Sequence, residues 1–128
     1  MDYAGKGGWV EVVCGVMFSG KSEELMRRVR RATLAKKRVQ VFKSHLDERY
    51  GGIGKIGSHD GGSVQAMPIS NSIDLAERVS FDAEVIAVDE VQFLDHGVVE
   101  VVNALADRGV RVICAGTDMD FLGRTFGP

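Results

Sequence analysis

The sequence has 128 residues, 45% of them hydrophobic and 27% charged, with a formal net charge of −2. A chain of that size builds one domain around one core, and its charge leaves no basic footprint for duplex nucleic acid. No apolar run approaches the roughly 20 residues of a membrane span, and the first eight residues lack the apolar core of a secretory signal. Nucleic acid and membrane are therefore not expected partners.

Residues 1–8 are small and polar and are expected to form a flexible N-terminus to a domain over 9–128. Trp9-Val-Glu-Val-Val-Cys14 is a strand-like apolar run. It leads directly into Gly15-Val-Met-Phe-Ser-Gly-Lys-Ser22, which fits the pattern G-x-x-x-x-G-K-[ST] at each fixed position. Gly15 and Gly20 let the backbone curl, so that the amides of Val16, Met17, Phe18 and Ser19 turn toward phosphate oxygens. Lys21 brings a flexible point charge to the outer phosphates, and the Ser22 hydroxyl is a magnesium ligand. The helix expected from Lys21 to about Lys36 aims its positive end at the same anion. In this setting the loop reads as a site for a nucleoside polyphosphate.

On that helix Leu25, Met26, Val29 and Ala32 share one face. Glu23 and Glu24 stand four residues ahead of Arg27 and Arg28, a favourable orientation for ion pairs. With Arg30 and Arg31 these cations read as a solvated helix face rather than a nucleic-acid patch, because the net charge is negative.

Arg38-Val-Gln-Val-Phe-Lys43 alternates as a strand does. Residues 44–63 then read as a long loop, glycine-rich in its second half, with polar clusters at Asp47-Glu-Arg-Tyr50 and Ser58-His-Asp-Gly61. Beside a phosphate site, a loop arginine such as Arg49 is a candidate for charge stabilisation during phosphoryl transfer. Val64 to Ile69 reads as a short extended piece ending near Pro68, and Asn71 or Ser72 as the cap of a short helix to about Val79.

Ala83 to Val88 is a near-continuous apolar run, suited to a buried parallel strand, and it ends in Asp89-Glu90. A helix is expected from about Asp95 to Arg108, closed by Gly109, with Val98, Val101, Val102 and Leu105 on one face. Val110 to Ala115 is a further core strand, followed by Gly116 and an irregular tail to Pro128. Alternating strands and helices imply a mainly parallel sheet in a three-layer α/β domain, with a ligand at the carboxyl ends of the strands. Cys14 and Cys114 both lie in apolar runs and are expected as buried, reduced thiols in a cytosolic compartment. With His45, His59 and His96 they form no close-spaced ligand pair, so no zinc site is expected within these residues.

The acidic pair completes the expected site. Asp89 is placed to hold Mg²⁺ opposite Ser22, directly or through water. Glu90 is placed to orient or deprotonate an attacking hydroxyl. Gln92 adds a hydrogen-bonding amide, and Phe93 an aromatic surface that serves either the core or a ligand.

Five pieces now stand in order: residues 15–31, Asp47-Glu-Arg-Tyr50, Ser58-His-Asp60, Asp89-Glu-Val-Gln-Phe93, and Gly116-Thr-Asp-Met-Asp-Phe121 followed by Phe126-Gly127. In this the sequence closely resembles the type II thymidine kinases, the cytosolic thymidine kinase family. The resemblance implies a RecA-like P-loop domain that transfers the γ-phosphate of ATP to the 5′-hydroxyl of thymidine or deoxyuridine, with magnesium. It implies that Glu90 is the general base, that Lys21 and Arg49 act on the transferred phosphate together with Asp47, and that Ser22 and Asp89 are the magnesium pair. The nucleotide contacts are then residues 15–22 with Asp89, Glu90, Val91 and Gln92. Met17, Phe93, Phe121 and Phe126 match positions that wall the nucleoside pocket, with Thr117 near it.

Two positions depart from the family pattern: Val91 stands where the family has Gly, and Thr117 where Leu is usual. The family's chains also continue into a small zinc domain and a lasso loop over thymine, so zinc is expected only there, beyond Pro128. The resemblance further implies a cytoplasmic homotetramer inhibited by thymidine triphosphate. Two alternatives stay open: a RecA-like ATPase in which Glu90 activates water, and a nucleotide-binding module without catalysis.

Overall fold

Val85-Ile-Ala-Val-Asp89 is buried at each of its positions, and its alternation sorts the molecule into layers. Ile86 and Val88 enter one apolar cluster and Val85 and Ala87 enter another, on the opposite face of the sheet. The computed structural model describes residues 8–14, 21–44, 54–57 and 63–116, with backbone only at 21, 22, 54–57, 63 and 64. In chain order its elements are β1 (Trp9–Cys14), α1 (Lys21–Leu34), β2 (Val39–Ser44), β3 (Gly54–Gly57), β4 (Ser63–Ile69), α2 (Ser72–Arg78), β5 (Val85–Asp89), α3 (Gly97–Asp107) and β6 (Arg111–Gly116). A 3₁₀ turn over Val91–Phe93 joins β5 to α3.

The strands lie in the order β1-β6-β5-β2-β4-β3. The first five run parallel, and β3 is antiparallel to β4. Leu25, Met26, Val29 and Ala32 seat α1 on one face, over Val13, Ala87, Ile113 and Ala115. Leu75 of α2 and Val98, Val102 and Leu105 of α3 seat on the other, over Phe42, Ile69, Ile86, Val88 and Val112. This is the expected three-layer α/β arrangement of a P-loop domain, with β6 inserted between β1 and β5. Among the described residues no helix is long and apolar enough to cross a membrane.

The expected boundaries shift in a few places, each for a physical reason. The 44–63 loop contains a strand, β3, whose Gly54-Lys-Ile-Gly57 is held by pairing with β4 rather than by packing signals of its own. Pro68 lies inside β4, where the partner is β2 alone, β3 having ended opposite Ala66. Helix α1 ends at Leu34 and is closed by Lys36 in the left-handed region, φ 64°, with amide bonds from Lys36 to Thr33 and from Lys37 to Ala32. Gly8 is buried: its N–H donates to the Ala106 carbonyl (2.8 Å), and a Cβ there would fall 1.9 Å from the Val110 oxygen. Of the two cysteines only Cys114 is buried, its thiol pushed up to about 12 by burial, whereas Cys14 is exposed at the end of the edge strand.

Candidate active site

The connection leaving β5 runs to β6, whereas β2 is followed by β3 and β4 on its other side, so the chain diverges at the carboxyl ends of β5 and β2. Divergence of this kind opens a ligand crevice in a parallel sheet. Asp89 ends β5 opposite Lys43 of β2 and is 2% exposed. It shares the parity of Val85 and Ala87, the residues packed with α1. A carboxylate is thus buried at the strand end on the same face of the sheet as the helix that begins at Lys21. Burying an anion is costly unless it is held. One Asp89 oxygen accepts the Glu90 N–H at 2.9 Å.

Glu90 follows with φ 59° and ψ 39°, the left-handed region, which costs a side-chain-bearing residue of the order of 1 kcal/mol. That conformation stops the strand and starts the 3₁₀ turn, whose bonds run from the Phe93 amide to the Glu90 carbonyl and from Leu94 to Val91. Val91 and Leu94 are buried in the α2/α3 cluster and anchor the turn. Gln92 Nε2 lies 3.4 Å from a Glu90 carboxylate oxygen. Phe93 is 45% exposed, which answers the question its spacing left open: it belongs to the surface of the turn and not to the core.

Strand β1 ends at Cys14 and α1 starts at Lys21, so the glycine-rich motif occupies the junction between strand and helix that it requires. Gly15, Val16, Met17, Phe18, Ser19 and Gly20 lie outside the described residues, as do Asp47, Arg49, Thr117, Phe121, Phe126, His45 and His59. The structure therefore brings together Asp89, Glu90, Val91, Gln92 and Phe93 on one turn and places Lys21 and Ser22 in the first turn of α1.

The thymidine kinase family model matches residues 8–128. The chain belongs to the thymidine kinase family. Membership implies a kinase-type activity that uses ATP.

Sequence reasoning missed two polar residues at this edge, Ser72 and Asp95. Ser72 is 4% exposed; its N–H and its hydroxyl each donate to an Asp95 carboxylate oxygen at 2.8 Å. Those bonds hold the Asp95 carboxyl below its ordinary range. The sequence signal for Ser72 was its position beside the Asn71 cap; nothing local marks the contact to Asp95, 23 residues away.

Proposed function

We propose that this chain is the P-loop portion of a thymidine kinase that moves the γ-phosphate of ATP to the 5′-hydroxyl of thymidine or deoxyuridine. The observation that supports it best is Asp89 and Glu90 in sequence at the end of β5, the first buried on the α1 face and the second in the left-handed region. In this reading the loop amides over 15–20 and Lys21 hold the triphosphate tail, and Arg49 and Asp47 act beside the transferred group. Glu90 accepts the proton of the 5′-hydroxyl. The 5′-oxygen of the nucleoside forms the new P–O bond as the bond from the γ-phosphorus to the β,γ-bridging oxygen breaks, and ADP leaves with the electron pair.

Asp89 and Ser22 are oxygen donors of the kind magnesium prefers, and the nucleotide's own phosphates supply further ligands. Among the described residues no group of three or more His, Cys, Asp or Glu gathers around a point, and this mode of binding does not need one. Magnesium held by Asp89 and Ser22 would supply charge neutralisation on the nucleotide's phosphates. Phe93, with Met17, Phe121 and Phe126, walls the nucleoside pocket, with Thr117 beside it. A cytoplasmic homotetramer under thymidine triphosphate inhibition belongs to the same proposal.

Glu90→Gln tests the assignment. The amide keeps the shape and loses the basic oxygen, so thymidine-dependent ADP formation should fall by about two to four orders of magnitude while ATP affinity changes little. Thymidine-independent phosphate release by the unaltered chain would replace the kinase reading with the ATPase one. Saturable ATP binding without turnover of any acceptor would leave the non-catalytic module.

A further inference from the structure

The turn that carries Glu90 and Phe93 is fastened at both ends. Its start is continuous with the buried strand β5, and Val91 and Leu94 anchor it within the core. Its far end is Asp95, whose carboxylate takes both donors of Ser72, the first residue of α2. Ser72 lies three residues past β4, and Asp95 six past β5; these two strands flank β2 in the sheet. The Asp95–Ser72 clasp therefore straps together the segments leaving the two strands on either side of β2, at the edge where the crevice opens.

Gly97 shows how closely the clasp is built. A Cβ at this position would lie 2.6 Å from the Ser72 hydroxyl oxygen and 2.8 Å from an Asp95 carboxylate oxygen. Glycine in the first turn of a helix normally costs stability relative to alanine. Here its missing side chain leaves the space that the two hydrogen bonds occupy. The clasp lies with α2 and α3, while α1, the helix that begins in the triphosphate motif, packs on the opposite face of the sheet.

We propose that the Asp95–Ser72 clasp is a positioning device for the acceptor nucleoside, holding the turn of Glu90 and Phe93 in register without touching ATP. The inference rests on the kinase reading and adds to it a pair of residues that act through Glu90 and Phe93. Losing the clasp frees the end of the turn next to Phe93 and loosens the constraint that maintains Glu90 in its left-handed conformation. Small misplacements of that kind impair the reacting geometry more than they impair stability.

The test compares Ser72→Ala, Asp95→Ala, the double variant, Asp95→Asn and Gly97→Ala in the full chain, each assayed well below its melting transition. Ser72→Ala, Asp95→Ala and Gly97→Ala should each lower kcat/KM for thymidine by about tenfold or more, with the KM for ATP within about twofold of the unaltered chain. The double variant should be no worse than the poorer single one, because both remove the same contact. Asp95→Asn accepts from the Ser72 N–H and donates to its hydroxyl, so it should recover most of the loss. Variants that melt earlier but use thymidine as well as the unaltered chain would reduce the clasp to a structural brace and overturn the inference. Equal increases in both KM values would also overturn it. Absence of thymidine-dependent transfer in the unaltered chain would instead defeat the kinase reading, and the inference with it.

Discussion

The two faces of the sheet are held by different physics. Under α1 the buried cluster contains Ala32, Ala66, Ala87 and Ala115, small residues that let the helix settle close to the strands but supply little apolar area. What they lack is supplied by ions. Glu11 of β1 takes a bond from Arg28 of α1 at 2.9 Å, two from Arg111 of β6, and one from the Trp9 indole at 2.6 Å. Arg28 is bound in turn by Glu24 at 2.7 Å, and Arg27 by the same Glu24 at 2.6 Å. The opposite face is filled by Phe42, Ile69, Leu75, Ile86 and Val98, large side chains that do most of the work of holding α2 and α3, beside the Ser72–Asp95 pair. Stability on the α1 face should therefore follow pH and salt more strongly, and stability on the α2/α3 face side-chain volume more strongly.

The sharpest way to break that contrast is to delete the largest piece of each. Phe42 is fully buried in the α2/α3 cluster, so Phe42→Ala should cost about 4 kcal/mol in denaturant unfolding, by a similar amount at neutral and mildly acid pH. Glu11→Ala leaves Arg28 and Arg111 without their shared carboxylate. The side chains involved are only 18–28% exposed, so about 2 kcal/mol is expected, between the values for surface and buried pairs.

Here the sign of the pH dependence separates the two. Burial pushes the Glu11 carboxyl up, but the hydrogen bonds from Arg111 and Trp9 and the charges of Arg111 and Arg28 together hold it below its ordinary value of 4.5. A group depressed in the folded state stabilises fully above its unfolded pKa and loses that contribution as pH falls through the folded one. The gap between Glu11→Ala and the unaltered chain should therefore narrow below about pH 4.5, while the gap for Phe42→Ala stays. Two gaps that close together would mean that the faces are not independently held.

The same division explains what the residues reveal in order and what they hide. Helix α1, the parallel strands β1, β2, β5 and β6, and helix α3 are legible because their apolar spacing is local. So is the acidic pair at the end of β5, since a buried run ending in Asp89-Glu90 follows from strand geometry. Strand β3 is not legible: Gly54-Lys-Ile-Gly57 pairs through backbone to a strand whose register no local pattern sets. Spacing assigned Arg27 to Glu23, yet Glu24 bonds both Arg27 and Arg28, and Arg28 also reaches Glu11 of β1 beneath α1. Cys14 carries the same apolar neighbours as Cys114 but sits on the edge strand, and edge or centre is a property of topology. The clasp of Ser72 and Asp95 is hidden for the same reason.

Among the described residues two other than glycine have positive φ, Glu90 and Lys36, one on each side of this division, and replacing each with glycine should raise stability by a different amount. Glu90→Gly relieves the left-handed strain and should gain about 1 kcal/mol, a rise of a few degrees in melting temperature, while abolishing transfer. A lower melting point with transfer lost would show that Glu90 is held by bonds that outweigh its strain.

Lys36 closes α1, and its left-handed conformation at a helix C-terminus is the one glycine adopts without penalty. Two terms oppose the gain. The lysine charge lies near the negative end of the helix, worth about 0.3 kcal/mol or more at an exposed site, and glycine has more freedom to lose on folding. The side chain is exposed, so no packing is sacrificed. The net effect of Lys36→Gly should be a gain of about 0.5 kcal/mol that grows with added salt, because salt screens the charge term and leaves the steric term intact. A gain that is constant from low to high salt would mean that Lys36 contributes through its backbone alone, and that the ionic hold on α1 stops short of its last turn.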